Sequence, residues 1–84
     1  MIEASEIESA LVTFMQREVF APQLALTPET DLLASGFDSM SLVRVLLFVE
    51  KTYGLWIPEG EITGTALSNA RALAATVSRL LHER

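Results

Sequence analysis

The chain has 84 residues, half of them apolar but only 7% aromatic, with a net charge of −5 and no cysteine. That length holds a single domain, 1–84, with room for one small core, and the absence of thiols excludes disulfides and thiolate metal sites. Residues 1–38 carry seven acids against Arg17 alone, whereas 39–84 carry five bases against four acids, so nucleic acid is not an expected partner.

Ala and Leu supply much of the apolar content, which suits a small helical bundle better than a sheet. The longest run of large apolar residues, Val45 to Val49, falls far short of the ~20 needed to span a bilayer. The acidic start lacks the basic region of a signal peptide, so a cytoplasmic location is the default expectation.

Ser5-Glu6-Ile7-Glu8 has the form of a capping box. Ile7, Ala10, Leu11 and Phe14, with Met15 as a further candidate, form an apolar stripe at helical spacing. The first helix is expected to end near Val19 or Phe20. Pro22 and Pro28 then mark a long irregular connection to about Asp38, longer than most loops in compact domains. Leu24, Leu26, Leu32, Leu33 and Phe37 are the residues expected to pin it to the core.

Gly36-Phe37-Asp38-Ser39-Met40 is the most informative stretch. An Asp before an apolar periodic run marks a helix N-terminus, and Gly36 permits a sharp turn upstream. Ser39 then sits in the first turn, where an anionic group on its oxygen would be favoured by the helix dipole. Taken alone, these five residues also fit an ordinary capped helix with no chemistry at the serine.

The second helix is expected over Ser39 to Tyr53, stopped by Gly54. Leu42, Val45, Leu46, Val49 and Tyr53 fall in one arc of about 100 degrees, wide enough for a core face. Met40, Val43 and Leu47 lie on a different arc, among Ser39, Arg44, Glu50 and Lys51. Exposed, that second stripe would mark a partner surface; the competing reading is a central helix buried on most sides.

Leu55-Trp56-Ile57-Pro58 reads as an extended connector. Pro58 to Leu67 is expected to hold a short, poorly formed third helix, weakened by Gly60 and Gly64. Ser68 is the expected cap of the last helix, in which Ala70, Leu73, Val77, Leu80 and Leu81 recur at helical spacing through Asn69 to His82. Arg79, His82 and Arg84 sit near its end, where positive charge suits the dipole. The sequence shows no repeat, Gly-rich phosphate loop or metal-ligand cluster.

Thr30-Asp31-Leu32-Leu33, the Gly36 to Met40 run, Ser41 to Leu46, Phe48 to Gly54 and Trp56-Ile57-Pro58 together resemble the acyl carrier and peptidyl carrier proteins. The resemblance covers essentially the whole chain and is strongest from Asp31 to Pro58. It implies an all-α fold: a small four-helix bundle of three main helices plus a short third one, with a long loop between helices 1 and 2. It also implies that Ser39 is esterified by 4'-phosphopantetheine, whose thiol holds an acyl or aminoacyl group as a thioester. Asp38, besides capping the helix, would contact a metal ion during that modification. Met40, Val43 and Leu47, with Arg44 among them, would meet partners: a phosphopantetheinyl transferase, an adenylating ligase or acyltransferase, and downstream biosynthetic enzymes.

The chain departs from the fatty-acid carriers in two ways. Their second helix is rich in acids, whereas Ser39 to Tyr53 has Arg44 and Lys51 against Glu50 alone. The stretch from Pro58 to Ser68 is a few residues longer and, with Glu61-Ile62, is similar to D-alanyl and free-standing aminoacyl carriers. The expected protein is thus a monomeric, non-catalytic carrier. The alternative is an unmodified helical interaction module. A hydrolase would need the only histidine, His82, as its base, with no oxyanion site in view.

Overall fold

The computed structural model describes residues 2–83, and the expected charge contribution of Arg84 lies outside them. Three α-helices, α1 (Ala4–Glu18), α2 (Ser39–Tyr53) and α3 (Ala70–Glu83), and one 3-10 turn (Glu59–Glu61) make up the regular structure, with no strand among the described residues. The all-helical class is as the composition predicts.

α1 buries Ile7, Leu11 and Met15 at i, i+4 spacing, while Ala10 and Phe14 flank that line half-buried. The capping box does not form. The observed N-cap, Glu3, lies two residues before the expected one, Ser5, and makes no side-chain cap bond. The Glu3 carbonyl instead accepts from Glu6 and Ile7 at 3.0 and 3.2 Å. α2 has the predicted limits, with Asp38 as N-cap and Gly54 in the left-handed region at φ 66°. Val45, Leu46 and Val49 are buried on its core face, and Leu42 and Tyr53 pack partly buried against the cluster.

α1 packs more extensively on α3 than on α2. Ile7, Leu11, Met15, Val45, Val49, Leu73 and Val77 form the centre of the core, and each such side chain contributes ~1.5–3 kcal/mol of transfer free energy before chain entropy is counted. Phe14 of α1 stacks on Phe48 of α2 with ring centroids 4.4 Å apart, an arrangement that adds to simple area burial.

Between Glu18 and Ser39 the chain makes only turns, but it is anchored along its length. The Leu26 N–H donates to Gln16 Oε1 at 2.9 Å, Leu32 N–H to the Ser68 carbonyl at 3.0 Å, and Arg71 N–H to the Pro28 carbonyl at 3.1 Å. Arg71 also pairs with Glu8 and Glu29, at 3.4 and 2.8 Å. Leu26, Leu32 and Phe37 are buried as expected and Leu24 is partly so, but Leu33 is 54% exposed. Its neighbour Leu32 takes the inward position, and the turn that follows carries Leu33 to the surface.

Of two further expectations, the short third helix is met only in part and the cap of the last helix is corrected. The stretch 58–67 forms one 3-10 turn followed by non-helical turns. Gly60 and Gly64 add backbone freedom where a helix would need it removed, and the Thr63 hydroxyl accepts from Ala66 N–H, a local bond that competes with helix. The cap of α3 is Asn69, whose side chain accepts from Ala72 N–H at 2.8 Å. The Ser68 hydroxyl donates to the Thr65 carbonyl instead. Arg79 is paired with Glu61 and with Glu83, and His82 is exposed.

Gly36 has φ +100° and open space where a Cβ would stand. The requirement is for the backbone angle alone. Gly36→Ala is expected to destabilise the domain by about 1–3 kcal/mol, read as a lower urea midpoint. An unchanged midpoint would show that the turn has another accessible conformation.

Candidate functional site

The turn ending at Gly36 delivers the chain to α2 through two bonds: Gly36 N–H to the Leu33 carbonyl, and Phe37 N–H to the Leu32 carbonyl at 3.0 Å. Phe37 is buried and contacts Phe20 at a centroid separation of 6.3 Å, so the start of α2 is fixed from below. Asp38 then caps the helix in extended backbone geometry, φ −121°, ψ −171°. Its Oδ1 accepts the Ser41 N–H at 2.9 Å and the Ser41 hydroxyl at 3.0 Å.

Ser39 is the first residue of α2 and is exposed. Its hydroxyl engages no side chain or carbonyl among the described residues. It therefore combines a free nucleophilic oxygen with the positive end of a helix dipole. Beside it lies a shallow cleft of about 290 Å³ lined by Leu33, Phe37, Asp38, Ser39, Leu42 and Leu67. The larger groove, about 630 Å³, is elsewhere, between α1 and α2 around Phe14, Arg17 and Phe48.

The two bonds from Ser41, the backbone one first, hold the Asp38 carboxyl below its ordinary value of 3.8. A depressed folded value means that this cap stabilises the fold above the unfolded pKa and that the contribution is lost as pH falls through the folded value. Acid titration below pH 3.8 is therefore expected to loosen the first turn of α2, seen as faster exchange of the Ser41 amide. Asp38→Asn should flatten that dependence; an equally steep loss in the variant would assign it to other carboxylates.

Met40, Val43 and Leu47 are 63%, 46% and 53% exposed. The apolar stripe next to Ser39 is thus a surface feature, and the reading of a helix buried on most sides is excluded. Arg44, also exposed, reaches the Glu18 carbonyl at 3.5 Å and bridges toward α1. Asp38, Ser39 and the stripe stand together on the first half of α2. Sequence reasoning missed Ser41, which is only 8% exposed despite its polarity. Its spacing of three from the capping Asp38 was the available signal. It also missed the contribution of Leu33, Phe37 and Leu67 to the cleft wall, which arises from tertiary packing.

Among the described residues no cluster of His, Cys, Asp or Glu could hold a metal, and no helix is long and apolar enough to cross a membrane. The family described as phosphopantetheine attachment site matches residues 9–77. No curated protein matches the chain.

Proposed function

The chain belongs to the phosphopantetheine attachment site family, and from that premise we propose that it is a non-catalytic carrier with Ser39 as the modified serine. A carrier of this family holds 4'-phosphopantetheine covalently on a serine. The residues around Ser39 fit that group: its hydroxyl is exposed and unpartnered at the start of α2, and an apolar cleft opens beside it. The unpartnered hydroxyl is the observation that carries the assignment. When bound, the group supplies a thiol on which cargo is held as a thioester, chemistry that a chain without cysteine cannot supply.

The chain's own part is to orient and present. Asp38 sets the first turn of α2 and lines the same cleft as Ser39, where its carboxylate would meet the metal ion of the transferase complex. Met40, Val43, Leu47 and Arg44 form the face that a transferase, a loading ligase or acyltransferase, and downstream enzymes would meet. The scarcity of acids on α2 and the long 58–68 connection favour specialised or aminoacyl cargo over ordinary fatty acids. The domain is read as a cytoplasmic monomer with the short 3-10 turn in the place of a third helix.

Intact-mass analysis after incubation with coenzyme A and a broad-specificity transferase tests this directly. Gain of one phosphopantetheine, localised to Ser39 by peptide mapping, is expected; no gain would leave the interaction-module reading. Asp38→Ala should slow the modification far more than it lowers stability, because the helix loses only one cap. An unchanged rate in the folded variant would reduce Asp38 to a cap.

A further inference from the structure

Asp38 is held in an asymmetric way that helix capping does not require. A cap needs the side chain to accept a backbone N–H of the first turn, and the Ser41 N–H satisfies that at Oδ1. The Ser41 hydroxyl adds a second bond to the same oxygen. Both bonds end on Oδ1, which leaves Oδ2 outside the pair. Ser41 is itself buried, so its hydroxyl has little access to water and is committed to Asp38. Asp38, by contrast, is exposed and shares the walls of one cleft with Ser39.

We propose that Ser41 is a positioning residue for phosphopantetheine transfer: its hydroxyl locks the Asp38 carboxylate so that Oδ2 is presented to the divalent cation that accompanies coenzyme A. This rests on the reading of Ser39 as the acceptor. In the transfer, Ser39 Oγ forms a bond to the phosphorus that carries the pantetheine. The bond from that phosphorus to the bridging oxygen breaks, and adenosine 3',5'-bisphosphate leaves with the electron pair. The hydroxyl proton passes to a base or water of the transferase complex. A carboxylate with one oxygen already fixed loses less freedom on meeting the cation than one free to rotate.

The experiment measures modification by a broad-specificity transferase against Mg²⁺ concentration for wild type, Ser41→Ala, Ser41→Thr, Ser41→Val and Ser39→Ala. Thermal unfolding and the NMR titration of the Asp38 carboxyl are followed on the same proteins. Ser41→Ala should be modified about tenfold more slowly at limiting Mg²⁺, the order expected for losing one hydrogen bond to a charged group. Its Mg²⁺ midpoint should rise, saturating Mg²⁺ should restore most of the rate, and the Asp38 pKa should move up toward 3.8. Ser41→Thr, which keeps the donor, should behave as wild type. Ser41→Val has the same shape without the donor and decides the matter if Ser41→Ala does not fold. A wild-type Mg²⁺ midpoint in the folded Ala or Val variant overturns the proposal, as does a loss of rate equal at all Mg²⁺ concentrations. Modification of Ser39→Ala would instead remove the acceptor assignment on which the proposal stands, an outcome separate from any effect at Ser41.

Discussion

Ser39→Ala is expected to fold as the parent does and to gain no phosphopantetheine. The hydroxyl has no partner among the described residues, so its removal breaks no hydrogen bond. Alanine is the best helix former, and the cap from Asp38 to Ser41 is untouched. Two neighbouring serines are the natural competitors for modification, and both are engaged. Ser35 donates its hydroxyl to the Asp31 carbonyl at 2.8 Å, and Ser41 is buried with its hydroxyl on Asp38. An attacking oxygen at either position would first have to give up that bond. Far-ultraviolet circular dichroism and intact mass on the same sample check both halves of the expectation. A mass gain in Ser39→Ala, mapped to Ser35 or Ser41, would sink the assignment.

What the sequence reveals of this site is what local rules govern. Asp38 as cap, Ser39 as the first helical residue and Gly54 as the stop each follow from side-chain chemistry within four residues. The two faces of α2 follow from its 3.6-residue period, and the exposed stripe of Met40, Val43 and Leu47 emerges from the same wheel. The misreadings occur where two local signals compete. Ser5 and Ser68 are both acceptable caps, but Glu3 and Asn69 take the role, because a helix start is also set by where its apolar face meets the core. The stacking of Phe14 on Phe48 and the joining of Leu67 to Leu33 in one cleft wall link residues far apart in the chain. No periodicity reports such pairs. Ser41 lies between these cases, since its spacing from Asp38 is local but its burial depends on the packed bundle.

If α2 is the docking face proposed above, Val43→Asp and Leu47→Asp are expected to weaken loading by an adenylating ligase roughly thirtyfold at low carrier concentration, the effect of losing one docking hot spot of about 2 kcal/mol. Each places a charge in a surface that would have to shed water on docking. Both positions are about half exposed, so the free domain tolerates the aspartate and the cost falls on the complex. Ionic strength should matter much less. The outward part of α2 carries Arg44 and Lys51 against Glu50, too mixed for a strong single-sign field, and salt mainly screens encounters between opposite charges. Loading rate against carrier concentration, for both variants and for wild type at low and high salt, separates the two modes. If rate instead falls steeply with salt while both aspartates are tolerated, recognition belongs to the acid-rich segment before α2, whose seven carboxylates would then be the surface that partners read.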